Sequence, residues 1–335
     1  MSASSKTVAP LTPLHLPEGR IERVRNALVV PVQKGGRLPN GVFRANGTFC
    51  EHSRTLLSQS RFTNIPDRPD RKGLMRISGR HLYGGVMRDH FGHFLLESLG
   101  RLWAFDHIDD PVDGVLFSPR RSGERLARFN PRYEPLFDAL AGEAAPLMFT
   151  EPVVVEELLL PSPGFGHQAW IVGTAQFRSA IHSRLTAAFP VKGVKDIYVS
   201  RSRLDGSEKA VDKEARIERL MVKSGYEIFH PQEHSIATQI AKYRAARRIV
   251  GPDGSAFHLA ACVARPDAKI TVIQRRRREK IVQSFIAQFK AFGVKDIRLL
   301  NPLVPNDHQS AGAVEGPAPI NFRLLVKQLQ ENGCL

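Results

Sequence analysis

RIVGPDGSAFHLAACVARPDAKITVIQ, residues 248–274, reads as strand, tight turn, helix, strand. RIVG (248–251) is an apolar β-type run, and Gly254 permits a sharp turn. Ser255 is placed to cap the helix SAFHLAACVA (255–264), and ITVIQ (270–274) returns as a second strand. So short a strand–helix–strand unit is the repeating element of a parallel sheet.

The same rhythm extends outward. DIYVS (196–200) and YEIF (226–229) are strands around the helix DKEARIERLMVKSG (212–225). SIATQIAKYRAA (235–246) is helical, EKIVQSFIAQFKAFG (279–293) is helical, and DIRLL (296–300) is a strand. The alternation predicts a doubly wound parallel sheet, whose ligands sit beyond the carboxyl ends of the strands. Those ends are the loops after Ser200, Phe229, Gly251 and Gln274.

The first half is less regular. ALVVP (27–31), GVFRANGTFC (41–50), GVLFS (114–118) and PVVVEELLL (152–160) are strand candidates, the second broken by the turn signal Asn46-Gly47. PSPGFGH (161–167) has the density of an ordered loop. The expected division is an N-terminal arm at 1–24, a mixed α/β domain at 25–172, a second α/β domain at 173–300 and a tail at 301–335. INFRLLVKQLQENG (320–333) should form a final amphipathic helix packing back across the domain junction.

With 335 residues and 42% hydrophobic content, the chain is long enough for two cores. Lys and Arg number 48 against 33 Asp and Glu, so the net charge of +15 favours an anionic partner. Three cysteines without metal-type spacing argue against a disulfide framework or a zinc ribbon. No apolar run approaches the roughly 18 residues of a membrane span, and MSASSKTVAPLTPLHLPEGR has no apolar secretory core. A cytoplasmic protein follows, its basic surface available to the inner face of the plasma membrane.

Two regions carry candidate chemistry. SRSRLDGSEK (200–209) sets Arg201, Arg203 and Lys209 around a flexible turn beside the helix start at Ser255. Unpaired amides and the helix dipole make that start an anion seat suited to a diphosphate. Glu233, in the loop HPQEHS (230–235), is either a ribose ligand or a first-turn carboxylate. Four arginines at 275–278 cannot all face one ligand, so a solvated basic run is the leading reading. In GGVMRDHFGHFLLESLGRLWAF (84–105), Asp89 and His90 precede His93 and Glu97, four apart on one helical face. A metal site, a Glu97–Arg101 structural pair and a general base all fit this pattern.

FGHFLLESLGRLW, then IYVSRSRL, then HPQEHSIATQIAKYRAARRIVGPDGSAFHLA resemble, as an ordered set over about residues 84 to 275, glycosyltransferase family 61. The resemblance implies two Rossmann-like domains facing a cleft, the GT-B fold of bacterial-type polysaccharide transferases. It implies inverting sugar transfer from a nucleotide donor, UDP- or CMP-linked, with no metal or other cofactor. The first domain would then be the acceptor side and the second the donor side.

By position, His93 and Glu97 match the family's His-x-x-x-acidic pair, with Asp89 and His90 lining the acceptor cleft. Arg201 matches the arginine ending a Val-Ser-Arg strand, Lys209 stands where a second arginine is usual, and Glu233 matches the acidic residue before the helix of Gln239. Gly251, Asp253, Gly254 and Ala256 match a Gly-x-His-Gly-Ala turn, with Asp253 replacing the histidine and Ser255 as an extra residue. The implied base is Glu97, or His93 oriented by Glu97. Expected partners are the nucleotide sugar, a surface-polysaccharide or glycolipid acceptor and an anionic membrane surface, without nucleic acid. The rivals are a non-enzymatic nucleotide- or RNA-binding protein and a metal-dependent phosphohydrolase.

Overall fold

The computed structural model describes residues 19–58, 61–120, 128–191, 195–204, 206, 211–305 and 318–335. Lys209 lies outside the described residues. Among the described residues, eight strands belong to the first half: β1 (Ile21–Val30), β2 (Gly41–Phe43), β3 (Leu56–Ser58), β4 (Arg61–Phe62), β5 (Met75–Met87), β6 (Gly114–Pro119), β7 (Ala145–Met148) and β8 (Val153–Pro161). Six of them form a sheet in the order β2-β1-β8-β5-β6-β7, and β3 and β4 pair separately. β8, β5, β6 and β7 are mutually parallel, whereas β1 is antiparallel to both β8 and β2.

β5 is the long central strand, and periodicity does not announce it. Gly79 and Gly85 take φ of 84° and 89°, and the pairing register shifts beside each of them. Such bulges add a residue and re-aim the strand. The bulge at Gly85 lies just upstream of the candidate site residues that begin at Arg88.

The second half holds β9 (Ile197–Val199), β10 (Glu227–Phe229), β11 (Arg248–Pro252), β12 (Lys269–Ile273) and β13 (Asp296–Leu300). They form an all-parallel sheet in the order β10-β9-β11-β12-β13. The doubly wound expectation holds here. The order reverses between β9 and β11, so the binding crevice of this sheet opens at their carboxyl ends.

The helices are α1 (Phe91–His93), α2 (Glu134–Ala141), α3 (Ala175–Ala188), α4 (Glu214–Lys223), α5 (Ile236–Ala245), α6 (Ala256–Val263), α7 (Glu279–Ala291) and α8 (Phe322–Glu331). Thr174, Ser235 and Asn321 start α3, α5 and α8 by accepting a hydrogen bond from the amide three residues on. On one face of the parallel sheet Ile217 and Met221 of α4 pack with Leu325 and Leu329 of α8. On the other face, side chains of α5, α6 and α7 join Ile197, Val199, Ile249 and Val272. α8 thus lies on the parallel sheet, against Tyr198, Val250 and Ile273, and not across the junction as the sequence suggested.

The apolar layer of α5, α6 and α7 continues into Phe94, Trp103 and Leu82 of the first half through Phe177 of α3. The expectation of two Rossmann-like domains is therefore met in part. The second sheet has that topology, the first is mixed, and one continuous core joins them.

Gly251 shows how tightly the crevice is built. A Cβ there would stand 2.6 Å from the Val199 carbonyl oxygen, a backbone atom that cannot swing away. Gly251→Ala should lower stability by about 1–3 kcal/mol through overpacking, visible as a lower Tm. An unchanged Tm would contradict the close approach of β9 and β11.

Candidate active site

Arg88, Asp89 and His90 follow β5, and His93 ends α1. The helix expected within residues 84–105 is broken into that one turn, a π-helical turn over Phe94–Ser98 and a 3-10 turn over Leu102–Asp106. π-helical turns recur at functional sites because they displace side chains from the regular face. Phe94, Leu95, Leu96 and Leu99 are buried, which fixes this turn by its apolar side.

Glu97, in the π-helical turn, is only 8% exposed. Its Oε1 accepts from His93 Nδ1 at 2.6 Å and from His167 Nε2 at 2.8 Å. Its Oε2 lies 3.0 Å from Arg88 Nη1, an ion pair. Burial pushes the carboxyl upward, but the two histidine donors and the Arg88 charge outweigh it, holding the group down at about 2. Glu97 is therefore a carboxylate with both oxygens engaged. The structural alternative of a Glu97–Arg101 pair is not formed. Arg101 is buried under Tyr83 and donates to the carbonyls of Pro161 and Arg54.

His167 arrives on the loop after β8, a parallel neighbour of β5 in the sheet. That loop is pinned to the helical segment at Gly100, whose carbonyl accepts from Gly164 N at 2.7 Å. A Cβ on Gly100 would come within 2.8 Å of the Phe165 carbonyl oxygen, so glycine is needed for the approach. Neither His167 nor Arg88 was singled out from sequence. The usable signal was topological: adjacent parallel strands deliver their carboxyl ends to one edge.

Asp89 and His90 are exposed. Asp89 Oδ1 accepts from Asn130 Nδ2 at 3.0 Å, and the His90 ring meets the His93 ring edge-on at 5.4 Å. His93 retains 42% side-chain exposure, the most open of the Glu97-bound pair. The ring centroids of His93 and His167 are 5.5 Å apart. One ligand atom from each of His93, Glu97 and His167 lies within 4.8 Å of the other two, so the cluster fits a proton relay and also a transition-metal ion.

The crevice of the parallel sheet faces this cluster directly. A Cβ on Gly92 would stand 2.9 Å from Ser255 Cβ, so the start of α1 touches the start of α6. Ser255 is in helical conformation and its side chain makes no cap, contrary to the sequence expectation. Across Gly254 lies Arg201: a Cβ on Gly254 would be 2.3 Å from its Nη1. Arg201 is half-buried, and desolvation lowers its pKa. Its backbone amide donates to Glu214 Oε1 at 2.8 Å, and burial raises that carboxyl to about 6.

Asp253, the residue standing where the family turn has histidine, is 1% exposed. Oδ2 accepts from Arg275 N at 2.9 Å and Oδ1 from Arg276 Nη2 at 2.9 Å, while Arg275 Nε donates to the Asp253 carbonyl. The carboxylate is thus turned inward and neutralised. This corrects the picture of residues 275–278 as a solvated run: Arg275 is 4% exposed at its side chain and Arg276 19%. Arg277 is exposed and donates to the Val304 carbonyl.

Arg203 and Glu233 do meet, at 2.8 Å, across the β9 and β10 loops, and both are open to solvent. Gln239 braces the Glu233 loop by donating to the Pro231 and His234 carbonyls. His258, on α6, was also missed. It contacts Gln288 Oε1 through Nδ1 at 2.7 Å, and burial lowers its pKa to about 4, so it is neutral near pH 7.

Replacing Asp253 with Ala strips buried Arg275 of its carboxylate and should cost about 3–5 kcal/mol in a chemical denaturation series. A loss under about 1 kcal/mol, typical of exposed pairs, would contradict the buried-pair assignment.

The family model described as Glycosyltransferase 61 matches residues 91–271, more than half of the chain. The match includes His93, Glu97, His167, Arg201, Glu233 and the turn from Gly251 to Ala256. Comparison with curated proteins found no match. The chain belongs to glycosyltransferase family 61 and is a glycosyltransferase.

Proposed function

We propose that the protein moves a sugar from a nucleotide donor, UDP- or CMP-linked, to a saccharide or glycolipid acceptor, with inversion and without a metal. The donor lies at the β9/β11 crevice and the acceptor beside His93, in a GT-B-like division of labour between the two sheets. The observation that carries this reading is the contact of Gly92 with Ser255, which sets an imidazole–carboxylate pair against an anion-binding helix start.

Of the two candidate bases, His93 is the better. Glu97 is held at about 2 with both oxygens engaged, which leaves little affinity for a substrate proton. With Glu97 ionised, His93 donates its Nδ1–H to Oε1, and its Nε2 lone pair is the acceptor. The acceptor hydroxyl gives its proton to Nε2 as its oxygen bonds to the anomeric carbon. The bond from that carbon to the nucleotide phosphate breaks on the opposite face, so one displacement inverts the centre. Glu97 stabilises the imidazolium, as the carboxylate of a serine-protease triad does.

Charge growing on the leaving phosphate is met by the amino end of α6 and by Arg201, half-buried against Gly254. The inward Asp253 places no free negative charge against it. Arg203 and Glu233 form the outer rim of the donor seat, where Glu233 is placed to accept from ribose hydroxyls.

A cytoplasmic protein docked at the inner face of the plasma membrane suits a lipid-linked acceptor. The net charge of +15 supports that attraction, and no helix among the described residues is long and apolar enough to cross a membrane.

Melting curves with a panel of nucleotide sugars, with and without EDTA, should show one selective shift that the chelator leaves unchanged. With that donor, His93→Ala and Glu97→Gln should each lower kcat by about 10²–10⁴-fold while the melting shift persists. Full turnover in both variants would refute the base assignment.

A further inference from the structure

We propose that His93 Nδ1, Glu97 Oε1 and His167 Nε2 are also a site for a zinc-type dication, and that occupation switches the transfer base off. Two imidazoles and one carboxylate oxygen are the donor set that zinc takes in open, three-ligand protein sites. Magnesium and calcium, which prefer oxygen alone, are disfavoured. Both histidine nitrogens already meet Oε1, at 2.6 and 2.8 Å, from two chain segments 70 residues apart in sequence, and the three residues each offer a ligand atom within 4.8 Å of the others.

Zinc stands about 2.0–2.1 Å from nitrogen and oxygen, so tetrahedral ligand atoms are separated by about 3.3 Å. The present contacts of 2.6 and 2.8 Å would open by about 0.7 and 0.5 Å, and the two histidine nitrogens would draw together around the ion. Arg88 on Oε2 leaves Oε1 as the coordinating atom and holds the carboxylate in orientation, as outer partners of metal ligands do. The 42% exposure of the His93 side chain gives an ion a path from solvent and leaves further positions for water.

The consequence for turnover rests on the function proposed above and follows from tautomers. In the hydrogen-bonded state His93 carries its proton on Nδ1 and offers Nε2 as the base. To bind the ion through Nδ1, neutral His93 must carry that proton on Nε2 instead. The proton only changes nitrogen, with none gained or lost, but the lone pair that would accept the acceptor's proton is gone. His167 shifts the opposite way, from Nε2–H to Nδ1–H. Metal occupation and base function are therefore mutually exclusive.

The test is titration of the full chain with Co²⁺, followed by its visible absorption bands, and competition with Zn²⁺. One ion per chain should bind, Zn²⁺ should displace it, and His167→Ala should weaken binding at least tenfold. His182→Ala, on the exposed face of α3, should bind as wild type. Zn²⁺ should inhibit transfer, assayed with the donor found in the melting panel, at the concentration that fills the site, and EDTA should restore it. Absence of saturable binding, or binding indifferent to His167→Ala, overturns the site and leaves the transferase reading intact. Stoichiometric binding with undiminished turnover upholds the site and overturns His93 as the base.

Discussion

The buried carboxylate of Glu97 is the constraint on which the rest of the site depends. A charge this far from water persists only if its partners replace the lost hydration. Three do so here: His93 and His167 on one oxygen and Arg88 on the other. Each comes from a different place, the end of β5, the short helix after it and the loop after β8. One carboxylate thereby ties the carboxyl ends of two adjacent parallel strands to a π-helical turn. In the proposed reaction the same arrangement makes Glu97 unsuited to proton abstraction and His93 suited to it. Structure and chemistry are set by one electrostatic balance.

The opposing wall obeys a similar rule. Asp253 brings a negative charge into a turn that faces a phosphate in the proposed reaction, and the arginines following β12 absorb it. Arg275 and Arg276 serve the fold before any ligand. What remains for a donor is the amino end of α6 with Arg201 over Gly254. The glycines at 92, 251 and 254 allow the two walls and the two central strands to approach.

The parallel sheet was legible because its strands and helices alternate with short connections. The first sheet was not. β5 carries Arg76, Arg80, His81 and three glycines, so neither alternation nor a continuous apolar run marks it, and its bulges break the period further. His93 and Glu97 were legible from their spacing, because an i to i+4 pair survives the change from α to π winding. His167 and Arg88 were not, since their role depends on which strands lie side by side. Arg275 and Arg276 were misread because a run of like charges gives no sign of a buried carboxylate 22 residues before the first of them.

The most direct measurement is a crystal structure of the chain with the nucleoside phosphate selected by the melting panel. The account predicts that the phosphate adjacent to the sugar sits within hydrogen-bond distance of the backbone at Ser255 and Ala256 and of the Arg201 guanidinium. His93 Nε2 should then face the sugar position from the opposite wall. A phosphate seated away from the β9/β11 crevice, or a His93 turned from it, would contradict the account.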